Sequence, residues 1–486
     1  MDAGFEYGDY PDKPDMFSAL DRIFSDYALD SRIPGLIFGA VADGRLAHVR
    51  GLGVQDLQSK RPATPDTLFR IASMTKAFTA LTVLQLRDEG KLALDSPAEV
   101  YVPELQGWKY PTRDSPRIRV RDLLNHTAGF VTDDPWGDRQ TPLPDDEFTQ
   151  LLREGVHFAR SPGTASEYSN LGYALLGRII SNLSGQPYDV TIAQKLLEPL
   201  AMHSSGFTSN VVPIERRALG YRWEDDTWRV EAPIPHGSFG AMGGMYSTAI
   251  DYAKWVAYLL SAWPARDDVE SGPVLRATLR ELAQGSSFPE LRQRFGPKEV
   301  NAGCQATAYG MGMVVAADRE LGFTLSHSGG YPGFGSHVLL LPNHGIGLFA
   351  FANRTYAGVA APVWEAALSL RQGGYLKDRP GVVTENLSAA YRAVEAIYAE
   401  GDIAAGGDLL AMNVLMDRDA RGWARDLATL KAQVGKCIAA GPVTATSALS
   451  GEFLWTCAHG RIAGSLLLAP TRQVRIQQIV LSRIVP

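Results

Sequence analysis

The feature that most restricts the fold is where the strand-like segments fall. Residues 36–53, "LIFGAVADGRLAHVRGLG", hold two apolar-rich runs on either side of Asp43-Gly44, a pair suited to the type I′ turn of a β-hairpin. The next such cluster comes far along the chain. There "GFTLSHSGG", "SHVLLLPN" and "GIGLFAFANR" are short β-rich runs broken by Gly, Pro and Asn. Residues 358–372, "GVAAPVWEAALSLRQ", then read as an amphipathic helix. Between the two clusters, "DDEFTQLLREGV", "NLGYALLGRIISNLSG" and "AIDYAKWVAYLLSAW" carry helical apolar spacing. Strands at both ends with helices between predict an α+β fold. One antiparallel sheet, flanked by helices, is built from N- and C-terminal strands, and a helical subdomain is inserted.

A break falls at 374–386, "GYLKDRPGVVTEN", rich in Gly, Pro and polar residues. It divides the chain into a domain of residues 1–375 and a small α+β domain of residues 385–486. The second domain opens with the helical segments "LSAAYRAVEAIYAEGDI" and "GWARDLATLKAQVG". It continues with the strand-like runs "GEFLWTCAHG", "RIAGSLLLAP" and "VRIQQIVLSRIV".

Composition removes several functions. The net charge of the 486 residues is −6, and Lys and Arg are dispersed, so nucleic acid and anionic membrane are poor partners. No apolar run approaches the ~18 residues of a membrane span. The acidic start, "MDAGFEYGDYPDKPDMF", lacks the regions of a signal peptide. The expected compartment is the cytoplasm, or the periplasm or exterior if a leader has been removed. Cys304, Cys437 and Cys457 have no metal-ligand spacing, and the nine histidines show no H-E-x-x-H pattern, so no metal or other cofactor is expected. Cys437 and Cys457 can pair if the protein is exported; the alternative is three unlinked thiols.

Three short stretches carry chemistry. In "FRIASMTKAFTAL", residues 69–81, Ser73 and Lys76 are three apart where a loop enters a helix. Residues at that spacing share a helix face, so the amine can reach the hydroxyl. A serine needs such a base to become a nucleophile, and a partly desolvated lysine can be one. About one S-x-x-K is expected by chance in such a chain, in which case Lys76 is a solvated surface residue. In "SPGTASEYSNLGYALLGRII", Tyr168 can shuttle a proton beside a cationic amine, and the Asn170 amide can orient a carbonyl. The competing reading makes Tyr168 a half-buried aromatic and Asn170 a helix cap. In "LSHSGGYPGFGSH", a strand ends in His327-Ser328-Gly329-Gly330, small enough for a substrate to lie against its backbone. Taken singly, it is a glycine-rich turn with an exposed histidine.

Together and in this order, S-x-x-K, Y-x-N and [HK]-x-G resemble the penicillin-binding-protein-like serine hydrolase family. The resemblance is to the group of class C β-lactamases, family VIII esterases and D-aminopeptidases. It covers roughly residues 18–372 and extends to "GLGVQD", "LLNHTAGF", "PLAMHSSGF", "GAMGGMYSTAIDYAKW" and "YGMGMVV". The resemblance implies that Ser73 is the acylated nucleophile and that Lys76 and Tyr168 carry its proton. Asn170 then holds Lys76 and substrate, and the N–H groups of Ser73 and Gly330 form an oxyanion hole. His327 departs from the Lys of β-lactamases. A histidine is cationic only part of the time near neutral pH, which disfavours substrates that need a fixed cation.

The implied activity is ester or amide hydrolysis through an acyl-enzyme, favouring esterase or D-amino-acid peptidase or amidase action on a small molecule or peptide. β-Lactamase or D-Ala-D-Ala carboxypeptidase activity is the alternative within the family. A catalytically silent sensor or scaffold that binds peptides or β-lactams is the alternative of another class. An α/β-hydrolase is a poor third reading, since the chain lacks G-x-S-x-G. Selectivity is expected to lie in loops such as 131–147. The C-terminal domain faintly resembles the NTF2-like cone.

Overall fold

The computed structural model describes residues 14–132, 137–286, 290–294 and 303–484. Residues 1–13 of the acidic start and 133–136 of the selectivity loop lie outside them. Two compact units are present. One runs to Trp263 and resumes over Val269–Lys377; the other comprises Pro264–Asp268 and the chain from Asp378 onward.

The strands of the first unit's large sheet are β1 (Gly35–Ala42), β2 (Arg45–Asp56), β3 (Arg61–Pro62), β4 (Glu290–Gln293), β5 (Cys304–Tyr309), β6 (Val314–Asp318), β7 (Gly322–Tyr331), β8 (Phe334–Leu341) and β9 (Ile346–Ala352). Their order is β3-β2-β1-β9-β8-β7-β6-β5-β4, and neighbours run antiparallel. Asp43 and Gly44 have φ of 50° and 76°, the two positive values that a type I′ turn requires. β1 then pairs β9 from Leu36↔Ala352 to Ala42↔Ile346, which closes the N-terminal hairpin onto the C-terminal strands.

The main helices are α1 (Pro14–Asp30), α2 (Thr75–Asp88), α3 (Asn170–Ser184), α4 (Ala249–Leu260) and α5 (Ala360–Gln372). Every residue of β8 is buried, because both faces of the sheet are covered. Val338 and Leu340 join a core with Phe78 and Leu81 of α2, Leu171 and Ile179 of α3, and Trp255 of α4. Leu339 and Leu341 join a second core with Leu20 and Phe24 of α1 and Trp364 of α5. Aromatic stacking is found in each: Phe78 on Trp255 at 3.8 Å, Phe24 on Phe38 at 4.0 Å between centroids.

The second unit contains α6 (Glu385–Glu400), α7 (Ala420–Val434), β10 (Cys437–Ala440), β11 (Thr444–Ser447), β12 (Ser450–Cys457), β13 (Gly460–Leu468) and β14 (Ile476–Ile484). The sheet order is β10-β12-β13-β14, with β11 also on β12. Here burial alternates along β12, the mark of a sheet with one dry face. That face meets Leu387, Val394 and Ile397 of α6 and Leu427 and Leu430 of α7 through Phe453, Trp455, Ile462 and Leu466. Cys437 and Cys457 are opposite each other on β10 and β12 and form a disulfide. Cys304 is a free, exposed thiol.

Candidate active site

Ser73 does not open α2. It is the middle residue of a 3₁₀ turn, Ala72–Met74, and the α-helix begins at Thr75. Ala72 has φ of +48°, a strained conformation for a residue with a Cβ, so neighbours must hold it. Thr75 Oγ1 donates to the Ala72 carbonyl at 2.6 Å and accepts from the Met245 N–H at 3.1 Å. Ser336 Oγ of β8 donates to the Ile71 carbonyl at 2.7 Å. β7 lies equally close, and only because position 329 is glycine: a Cβ there would stand 2.3 Å from the Ile71 oxygen.

Lys76 is fully buried, not a solvated surface residue. Its Nζ donates to Asn170 Oδ1 at 2.9 Å and to the Met242 carbonyl at 2.8 Å, and lies 3.3 Å from Ser73 Oγ. The amide oxygen and the carbonyl can only accept, so each takes an amine hydrogen in either protonation state. The direction toward Ser73 can therefore hold a hydrogen in the ammonium and a lone pair in the free amine. That is the arrangement needed to receive a hydroxyl proton.

The second stretch reaches the same amine. Nζ sits 4.7 Å from the centroid of the Tyr168 ring and 5.3 Å from that of Tyr173. Asn170 is the first residue of α3; the cap is Ser169, whose hydroxyl accepts from Gly172 N–H at 3.4 Å. With Ser169 capping, the Asn170 side chain is released to bind Lys76.

The third stretch places His327 6.2 Å from Tyr168, ring centroid to centroid. It is buried, not exposed. Its Nδ1 is 2.7 Å from the Ser328 carbonyl, which can only accept, so Nδ1 carries the proton. Nε2 then accepts from the Tyr309 hydroxyl at 2.9 Å. Burial, reinforced by the nearby Lys76, pushes its pKa down to about 3. The expected partial charge near neutral pH is thus absent, and both ring nitrogens are engaged by the protein. β6 pairs β7 only as far as Ser326, so the segment from His327 to Gly330 lies past that pairing.

Two groups that the sequence did not single out complete the setting. Tyr309 and His126 come from "YGMGMVV" and "LLNHTAGF", stretches noticed only for their resemblance. The His126 ring is 4.4 Å from both Tyr168 and Tyr309. Both are buried, and burial holds the imidazole neutral and raises the Tyr309 phenol well above its usual range. Among the described residues no group of three His, Cys, Asp or Glu side chains could hold a metal ion. Nor is any described helix long and apolar enough to cross a membrane.

The sequence pattern described as Beta-lactamase matches residues 20–372. Among curated proteins, the chain is 29% identical to Protein flp of Staphylococcus aureus (strain MRSA252) over 337 residues, 69% of this chain and 62% of that one. The chain thus spans about three fifths of that relative's length. It is 26% identical to Esterase EstB of Burkholderia gladioli over 399 residues, 75% of this chain and 97% of the esterase. Two solved structures share the fold at 20% identity. One is a class C beta-lactamase, with TM-score 0.60 over 76% of this chain and 98% of that one. The other is the octameric penicillin-binding protein homologue from Pyrococcus abyssi, with TM-score 0.60 over 96% of this chain and 99% of that one.

Proposed function

Since the chain belongs to the Beta-lactamase family, we propose that it is a serine hydrolase that cleaves ester or amide bonds through an acyl-enzyme on Ser73. The single observation that carries this is the buried Lys76 amine, held by Asn170 and Met242 with Ser73 Oγ at 3.3 Å. Lys76 takes the Ser73 proton as the hydroxyl oxygen attacks the substrate carbonyl. Tyr168 shares that proton and returns it to the leaving group, and water then hydrolyses the acyl-enzyme with the same groups as base. Asn170 keeps the amine oriented. The N–H groups of Ser73 and Gly330 receive the developing oxyanion; the close packing of Gly329 on the Ile71–Ala72 backbone supports that pairing.

An esterase or D-amino-acid amidase is favoured over a β-lactamase or carboxypeptidase. The support is His327, which brings no charge to the site where a lysine would. The likeness to Esterase EstB over nearly all of that protein points the same way. We read residues 385–486 as an NTF2-like domain, a reading supported by the order of α6 and α7 before a single antiparallel sheet.

Intact-mass measurement after mixing with activated esters, D-amino-acid amides and β-lactams tests the proposal. The expected result is an acyl adduct from esters or amides in the wild type and none in Ser73→Ala. An adduct in Ser73→Ala, or turnover by that variant, overturns it.

A further inference from the structure

The stretch "LLNHTAGF" has no part in the mechanism above, yet it places a histidine against the proton-carrying tyrosine. His126 grips the segment Glu167–Ser169 at three points. Its backbone oxygen accepts from Glu167 N–H at 2.8 Å, and its Nδ1 accepts from Ser169 N–H at 3.2 Å. Its ring lies 4.4 Å from that of Tyr168, tilted by 41°. The two N–H groups flank Tyr168, and the second belongs to the residue between Tyr168 and Asn170.

The geometry also settles the tautomer. An Nδ1 that accepts from an amide cannot carry a proton, so the hydrogen is on Nε2. Among the described residues Nε2 has no hydrogen-bond acceptor; it is buried among the rings of Tyr168, Tyr173 and Tyr309. A buried N–H left that way costs free energy. The backbone adds to the cost, since His126 has φ of +61°. Two unfavourable features kept at one residue are what a functional constraint leaves behind. Burial keeps the ring neutral, with Lys76 opposing its charge further, so the Nδ1 lone pair stays available to Ser169.

We propose that His126 is a positioning residue that, through Nδ1 and its backbone oxygen, clamps the Tyr168–Asn170 segment so that both side chains face Lys76. The proposal rests on the acyl-enzyme reading of Ser73, Lys76 and Tyr168. It makes the acceptor atom the feature that matters, and the aromatic ring secondary.

Two substitutions separate acceptor from ring. In His126→Asn, Oδ1 occupies the place of Nδ1, and asparagine tolerates the positive φ; the ring is lost. In His126→Phe the ring remains and the acceptor is lost. With 4-nitrophenyl butyrate, His126→Asn is expected to keep kcat within about threefold of wild type. His126→Phe is expected to lower kcat by about 10- to 100-fold with KM within about twofold, because misplaced acid–base groups slow chemistry more than binding. His126→Gln, which also lacks an acceptor at the Nδ1 position, should behave like His126→Phe. Equal kcat in the Asn and Phe variants, or a change confined to KM, overturns the proposal. So does failure of both Phe and Gln variants to fold while His126→Asn folds, since the bond would then be purely structural. A wild type that forms no acyl adduct removes the acyl-enzyme reading and this proposal with it. A wild type that forms one, beside an unimpaired His126→Phe, removes this proposal alone.

Discussion

In each unit a lysine amine lies over a tyrosine ring and donates to a main-chain carbonyl. Lys76 is 4.7 Å from the Tyr168 centroid and bonds the Met242 carbonyl; Lys431 is 5.4 Å from the Tyr398 centroid and bonds the Ala399 carbonyl at 3.0 Å. The partners are alike and the settings are not. Ala399 lies in the last turn of α6, whose final carbonyls lack helical partners, and Gly401 follows with φ of 76°. Lys431 closes a helix end in contact with solvent. Lys76 has no solvent contact, adds a third neighbour in Ser73 Oγ, and is steered by Asn170. A lysine on a last-turn carbonyl is an ordinary way to close a helix. Burial and an adjacent hydroxyl make the set capable of moving a proton.

The sharpest break of this comparison is removal of the Lys76 amine or of the Tyr168 hydroxyl. Lys76→Ala and Tyr168→Phe are each expected to lower kcat on an activated ester by roughly 10²–10⁴, the range for general acid–base groups. Under the proposed mechanism, their combination should lose much less than the product of the two, as expected of groups that act as one unit. Full additivity in steady-state kinetics would separate their roles.

The cross-strand disulfide of the second unit tests whether that unit's role is stability. Cys437 and Cys457 are 20 residues apart, and closing a loop of that size stabilises by about 3 kcal/mol in the chain-entropy account. Replacing both by serine should lower that unit's denaturation midpoint in urea, followed by hydrogen exchange of the β12 and β13 amides, and leave Ser73 acylation by intact mass in place. Loss of acylation would tie the disulfide to the chemistry.

Buried histidines mark the first unit in another way. Burial lowers His327 and His337 each to about 3, and His126 well below its usual value. An unfolded histidine titrates near 6.5. Unfolding therefore takes up protons between about pH 3 and 6.5, so stability is complete above that window and falls as pH drops through it. The thermal midpoint of the wild type should decline on acidification from pH 7 to 4, and His337→Asn should decline less steeply. The kcat/KM profile of a neutral ester should show no limb from His327 above pH 5. A limb near pH 6.5 that disappears in His327→Gln would mean that the histidine titrates as if exposed.

The smallest effect belongs to Lys431→Ala. Loss of a helix-end cation costs at most ~1 kcal/mol, read as a shift in denaturation midpoint, with kcat unaltered. A drop in kcat would erase the distinction between the two lysines.

Much of this molecule was legible before folding, wherever the signal is local. The Asp43-Gly44 turn, the helical spacing of α3, α4, α5, α6 and α7, and the contact of Ser73 with Lys76 all depend on residues a few positions apart. β5 and β6 were not read as strands, because they are short and take their pairing from neighbours in the sheet: β6 from β7, and β5 from β6. Asn170 resembles a helix cap in sequence; Ser169 takes that place once its hydroxyl meets Gly172 N–H.

What the sequence alone determined is therefore the locally patterned elements, the joining of terminal strands in one sheet, and the three stretches that the fold brings to Lys76. The tertiary structure decided what state those groups are in. Lys76 is buried because α2 is covered on all sides, and its acceptors come from 94 and 166 residues away. His327 is neutral because β7 carries it under Tyr309 and beside Lys76, and His126 reaches Tyr168 across 43 residues of chain to Ser169. Charge state and hydrogen-bond direction depend on desolvation, which sums over every atom that excludes water from a site, and no short window of sequence contains those atoms.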